Sequence, residues 1–222
     1  MNKKDAKKHL TVWEDFLSIH DFYKFCEASP GDFKFQTANI IKEKQYKTVL
    51  DAGAGICDLY YVFKEICYEV DYTAIDLTKK YVDECIAKGI KISKQNIEQT
   101  NFIDHQFDCV TAFDVINHQL DYRASIKELL RIAKKEVFIS FFKKFEEESS
   151  LYADYHGEYE TYQNEFGLIE NRVVDPDDGE AICIYNFINK KKLINFLETL
   201  ENIEYEFYIS SCKRGMLRIR HK

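Results

Sequence analysis

The sequence predicts an α/β protein built on a doubly wound, mainly parallel sheet, and three observations lead there. From about residue 35 to residue 142, short apolar runs alternate with amphipathic stretches at helical spacing. That is the pattern of successive strand–helix–strand units with right-handed crossovers. The run FDCVTAFDVINH, residues 107–118, has seven apolar residues of twelve and reads as a strand buried on both faces. The stretch YKTVLDAGAGICDL, residues 46–59, reads as a buried strand that enters a glycine-lined turn and leaves as a helix. Such a turn lets a ligand approach bare backbone, because glycine lacks a Cβ and tolerates positive φ.

Each element has its own signal. Trp13, Phe16, Leu17, His20 and Lys24 lie at helical spacing and predict an amphipathic helix over 11–27, ended by Ser29, Pro30 and Gly31. Residues 1–34 are thus expected to form an amino-terminal helical cap, and 35–144 a ligand-binding core that opens with a helix over 35–44. Beyond the glycine turn, Leu59, Val62, Phe63 and Ile66 mark a helix over 58–67. A strand over 69–78 carries Asp76 at its carboxyl end, and Thr78 caps a helix that stops at Gly89. Strands are expected over 90–98, 107–118 and 136–142, with a helix over 122–134. Thereafter the repeat breaks. Tyr152, Tyr155, Tyr159, Tyr162 and Phe166 recur at steps of three and four, which predicts one aromatic face of a helix. LIENRVV and AICIYNF around DPDDGE predict a hairpin. Residues 145–188 therefore read as an acidic, aromatic lid or hairpin insertion. Asn189 then caps a helix over 190–200, and strands over 203–210 and 215–220 complete one domain of 222 residues.

Composition narrows the class. With 45% hydrophobic residues, two prolines and no repeat, the chain can bury a sizeable core. The charged start MNKKDAKKHL lacks the apolar stretch of a signal peptide, and no run approaches a membrane span. The seven cysteines, 26, 57, 67, 85, 109, 183 and 212, contain no C-x-x-C pair, so reduced, mostly buried thiols in a cytoplasmic protein are expected, with neither a disulfide framework nor a metal site. The net charge of −7 is unevenly spread: residues 146–180 hold twelve acids against Arg172 alone, a local balance of −11, which leaves the remainder at +4. Lys190, Lys191, Lys192, Lys213, Arg214, Arg218 and Arg220 gather near the carboxyl end and could form a basic strip.

The chemistry centres on acids flanking the turn. Asp51 precedes Gly53 by two residues, and Asp76 follows Gly55 by twenty-one, at the end of the next strand. An acid so placed can accept both hydroxyls of a ribose. A dinucleotide site wants a third glycine where this chain has Asp58.

These motifs resemble those of the class I S-adenosylmethionine-dependent methyltransferases. VLDAGAG looks like the first motif, AIDLT the ribose-binding acid, and NIE, FDCVTAFDVINH and IKELLRIA the later motifs in order, with close similarity over residues 37–142. The resemblance implies a Rossmann-like, seven-stranded sheet with helices on both faces and an antiparallel carboxyl-terminal strand. It implies S-adenosylmethionine as cofactor. Gly53 and Gly55 would face its methionine portion, with Asp51 ordering the turn, and Asp76 would hold the ribose hydroxyls. Leu77 and Ile97 would sandwich the adenine, with Asn96 reading its amino edge. Phe113 and Asp114 would floor the site where the methyl group points, and His118 and Asp114 are the candidate bases. Cys57 stands where the family commonly has a further glycine.

The acidic, tyrosine-rich segment suits a polar or cationic small-molecule acceptor methylated at O or N better than a phosphate backbone. An RNA or protein acceptor remains the first alternative, carried by the basic strip. A non-catalytic cofactor-binding or scaffold protein of the same fold is the second. The motifs leave the oligomeric state open.

Overall fold

The computed structural model describes residues 31–119, 122–141, 158–163, 169–174, 181–188 and 190–222, with backbone alone over 158–163, 169–174 and 181–187. Strands β1 (Thr48–Ala52), β2 (Asp71–Asp76), β3 (Ile92–Lys94), β4 (Phe107–Phe113) and β5 (Ala133–Phe141) run parallel. They alternate with helices α1 (Asp32–Glu43), α2 (Asp58–Glu65), α3 (Lys79–Ala87) and α4 (Tyr122–Ile132). Strands β6 (Glu158–Gln163), β7 (Ile169–Val174) and β8 (Ala181–Phe187), helix α5 (Lys190–Leu197), and strands β9 (Ile203–Ile209) and β10 (Gly215–His221) follow. The main sheet has seven strands in the order β3-β2-β1-β4-β5-β10-β9, and β10 is antiparallel to both its neighbours. The predicted architecture is therefore the observed one. The order reverses between β1 and β4, and ligands of such sheets bind outside the carboxyl ends of the strands at that reversal.

Alternate side chains explain the layers. Along β1, Val49 packs with α1, α2 and α3, through Ile41, Val62 and Cys85, while Leu50 packs on the other face with Ile126 and Leu129 of α4 and Leu193 of α5. Val49 and Leu50 are both fully buried. Burial of each contributes about 1.5–3 kcal/mol, which fixes the register that presents Asp51 and the turn after it.

Several expectations need correction. The strand expected over 107–118 ends at Phe113, because Asp114 takes a left-handed φ of +58° and the chain turns into a 3-10 turn at Ile116–His118. The third strand is three residues, not nine. The fifth strand, expected over 136–142, begins earlier, at Ala133, and within it Glu136 is buried against Arg218. Tyr159 and Tyr162 lie in strand β6, where a step of three changes face, so helical spacing does not apply there. Six register pairs with β7 outweigh the local periodicity. Tyr152, Tyr155, Phe166 and the helix expected over 11–27 lie outside the described residues. The hairpin around DPDDGE is present as β7 and β8 in a separate three-stranded sheet, and β8 passes beside the 3-10 turn Ile116–His118.

Candidate functional site

The glycine turn is hung from the end of β2. Gly53 and Ala54 both donate their N–H groups to the Ile75 carbonyl, at 2.8 and 3.0 Å, and Gly55 N–H donates to Asp76 Oδ2 at 2.8 Å. The other Asp76 oxygen accepts Thr78 N–H at 2.8 Å. Thr78 stands at the cap position of α3 as expected, though its side chain makes no capping bond to the helix. The Thr78 side chain and the Leu77 backbone also donate toward this carboxylate.

The two glycines differ in what they face. Gly53 has φ +72°, and a Cβ there would stand 2.4 Å from Val115 Cγ2. Gly55 has φ +54° and opens onto space with nothing within 4 Å of a Cβ position. The bare face of Gly53 thus serves packing by Val115, and that of Gly55 is a cradle open to a ligand. Cys57 also adopts a left-handed conformation, φ 63° and ψ 42°, which accounts for the glycine common at this place in the family.

Asp51 is inside the sheet, 4% exposed, where Tyr72 Oη and Thr111 Oγ1 donate to its two oxygens at 2.7 and 3.0 Å. The Asp51–Thr111 pairing follows from their register across β1 and β4. Burial pushes the Asp51 carboxyl up, against hydrogen bonds from Tyr72 and Thr111 and the charge of Lys34. Burial likewise raises Asp76, against backbone hydrogen bonds from Thr78 and Gly55. Beneath the turn, Cys85 Sγ contacts the Gly55 carbonyl at 3.7 Å. A hydrogen bond with Cys85, reinforced by burial, pushes the Cys57 thiol up.

At the exit of β4, Phe113 is 8% exposed and meets Phe33 of α1 edge-on, with centroids 5.2 Å apart. Asp114 is committed on both oxygens: Ser140 Oγ donates to Oδ1 at 2.8 Å and Arg214 ion-pairs with Oδ2 at 2.6 Å. Asp114 N–H in turn donates to Ser140 Oγ at 2.9 Å. His118 is partly exposed at the end of the 3-10 turn. The structure therefore brings Gly53, Gly55, Asp76, Phe113, Asp114 and the 3-10 turn to the carboxyl ends of β1, β2 and β4.

The adenine-side residues are more scattered. Leu77 is half-buried beside Asp76, and Asn96 is exposed with its Oδ1 accepting Glu98 N–H at 3.0 Å. Ile97 is 3% exposed and packed into the α4-side core, so it offers at most an edge to a ligand.

Sequence reasoning missed Phe33, Lys34 and Ser140, and placed Arg214 in the basic strip rather than beside the glycine turn. Lys34 ion-pairs with Asp58, the first residue of α2, at 3.0 Å, and Arg214 lies over the Phe33 ring at 5.1 Å. The first turn of α1 therefore spans from the glycine turn to the β9–β10 hairpin. Only the charges and aromatics themselves were visible in the sequence, without a spacing to join them. Two members of the basic strip expected near the carboxyl end are engaged by acids. Arg218 is held by Glu136 at 2.8 Å and by Glu206 at 3.1 Å, while Arg214 is turned onto Asp114. Among the described residues no cluster of His, Cys, Asp and Glu could hold a metal ion, and no helix is long and apolar enough to cross a membrane.

A seven-stranded sheet of this order, with the turn hung between Ile75 and Asp76, defines the class I S-adenosylmethionine-dependent methyltransferase fold. The family model described as methionine biosynthesis protein MetW matches residues 31–147, and the chain belongs to that family. Among solved structures it is similar to CalS10 bound to S-adenosylmethionine, an amino pentose methyltransferase from Micromonospora echinaspora, with TM-score 0.62, 12% identity, and 92% of this chain and 97% of that one covered. It is similar to magnesium protoporphyrin IX methyltransferase from Synechocystis PCC 6803 with bound S-adenosylhomocysteine, with TM-score 0.62, 13% identity and coverage of 96% and 99%. A S-adenosylmethionine-dependent methyltransferase from Clostridium acetobutylicum gives TM-score 0.58, 14% identity and coverage of 94% and 98%. At these identities the likeness carries the fold alone. No curated protein matches the sequence.

Proposed function

We propose that this chain binds S-adenosylmethionine over the carboxyl ends of β1 and β2 and transfers its methyl group to an O or N atom of a small-molecule acceptor in the cytoplasm. One observation carries the reading: Gly55 opens onto free space while its N–H is fixed to Asp76, an acid at the carboxyl end of β2 where a pair of ribose hydroxyls can be accepted. When bound, the cofactor supplies an already activated sulfonium methyl. The chain then has to hold an acceptor in line, about 3 Å from the methyl carbon, and exclude water.

In this reading Leu77 and the edge of Ile97 flank the adenine, with Asn96 beside its amino edge. Gly53 and Asp51 keep the turn in shape from beneath. Phe113 and Asp114 form the floor. His118 and Asp114, the latter already engaged by Ser140 and Arg214, are the candidate proton acceptors when the acceptor is a hydroxyl or a protonated amine. Residues 145–188 act as the lid, a role supported by the passage of β8 beside the 3-10 turn that carries His118. A small-molecule acceptor is also what the names of the amino pentose and protoporphyrin enzymes specify for those proteins. An RNA or protein acceptor is less well supported, because Arg214 and Arg218 of the basic strip are spent on internal acids.

The test is S-adenosylhomocysteine release with a panel of hydroxyl and amine acceptors. Acceptor-dependent release that is lost in Asp76→Ala is the expected result. A second reading, cofactor binding without turnover, draws on the engagement of Asp114; it predicts tight binding and no release with any acceptor.

A further inference from the structure

We propose that Arg214, at the tip of the β9–β10 hairpin, is a positioning residue for the cofactor turn and acts through Asp114 and Val115. Its ligand rests on the methyltransferase reading above; its geometry does not. Because β10 is antiparallel to β5, with Gly215 opposite Phe141, the hairpin tip reaches the carboxyl face of the sheet. The tip is itself braced. Ser210 N–H donates to the Arg214 carbonyl at 2.9 Å, Arg214 N–H donates to Ser210 Oγ at 3.0 Å, and Ser211 Oγ donates to Asp32 of α1 at 2.9 Å. From this base the guanidinium crosses the Phe33 ring and pairs with Asp114 at 2.6 Å.

Asp114 is where that contact has leverage. It holds a left-handed φ of +58°, a conformation that L residues keep only when their surroundings over-determine it. Ser140 and Arg214 do so between them, one on each carboxylate oxygen. The next residue, Val115, is the one pressed against Gly53, 2.4 Å from where a Cβ would stand. Gly53 is in turn hydrogen-bonded to Ile75 beside Asp76. A charge near the carboxyl end of the chain thus sets the backbone angle that seats the turn near its middle.

Hydrogen exchange followed by mass spectrometry tests the clamp without any ligand, and calorimetry with S-adenosylhomocysteine tests its consequence. In Arg214→Ala, amides of residues 53–57 and 114–118 should exchange about tenfold faster and S-adenosylhomocysteine should bind about tenfold more weakly, while α5 and β3 keep their protection. Arg214→Lys should restore most of both. Adding Arg214→Ala to Asp114→Asn should cost less than Arg214→Ala costs in the unaltered protein, since the ion pair is already weakened and the contact with Phe33 is the part still to be lost. Unchanged exchange at 53–57 in Arg214→Ala would overturn the proposal, and so would faster exchange spread over every element, which would mark a general structural role. If the unaltered protein binds no S-adenosylhomocysteine, the cofactor reading fails and the exchange data still decide the clamp.

Discussion

Gly53 and Gly55 look equivalent in the sequence and are not equivalent in the structure. Gly53→Ala adds a methyl group against Val115 and fixes a side chain at positive φ, so it should destabilise the fold by about 2–4 kcal/mol in urea unfolding. Gly55→Ala meets no neighbour, so its stability cost should stay near 1–2 kcal/mol while cofactor affinity falls more steeply, because the methyl group occupies the ligand's approach. Asp76 adds a pH dependence. Burial raises its carboxyl, so the neutral form is the one folding favours, and its contribution to stability is greatest below the unfolded carboxylate range and is lost as pH rises through the raised value. In the proposed complex the ribose hydroxyls donate to the ionised form, so affinity for S-adenosylmethionine should strengthen as pH rises through that raised value. Asp76→Asn should remove that part of the profile, measured by calorimetry at each pH.

Among the elements, what could be read from the sequence was what is local. Strand β1, its turn and helix α2 are marked by an apolar run, two glycines and helical spacing within fourteen residues, and all three stand where expected. The end of β4 was not readable, because Val115 and Ile116 are apolar enough to prolong a strand and only Ser140 and Arg214, distant in sequence, hold Asp114 in the conformation that breaks it. Strand β6 was misread for the same reason, since its partner β7 decides its form. The contact of Phe33 with Phe113 and the pair of Arg214 with Asp114 join segments that no motif links. Helix α4 carries a separate, testable network. Burial alone would raise Glu128, but hydrogen bonds from Arg131 and Thr100 outweigh it and bring the carboxyl down to about 2. Its stabilisation is therefore present above the ordinary glutamate range and lost as pH falls toward 2. Glu128→Gln should flatten the acid side of the stability profile, seen as a smaller drop in urea midpoint between pH 7 and pH 3.

For the molecule as a whole, the charge distribution and the sheet order bear on the acceptor and the cofactor respectively. The acids concentrate in residues 146–180, and Arg214 and Arg218 are turned inward onto Asp114 and Glu136. RNA binding should accordingly be weak at physiological salt, and a plot of log affinity against log salt with a slope of several units would contradict the small-molecule acceptor. The sheet reverses between β1 and β4, and Asp76 ends β2, the strand beside β1, on the carboxyl face of the sheet. Calorimetric titration with S-adenosylmethionine of the unaltered protein beside Asp76→Ala bears on that arrangement most directly. Saturable binding that weakens by one to three orders of magnitude in the variant is predicted, from hydrogen bonds to a charged group worth about 1.5–3 kcal/mol each. No binding by the unaltered protein, or equal binding by both, would contradict it.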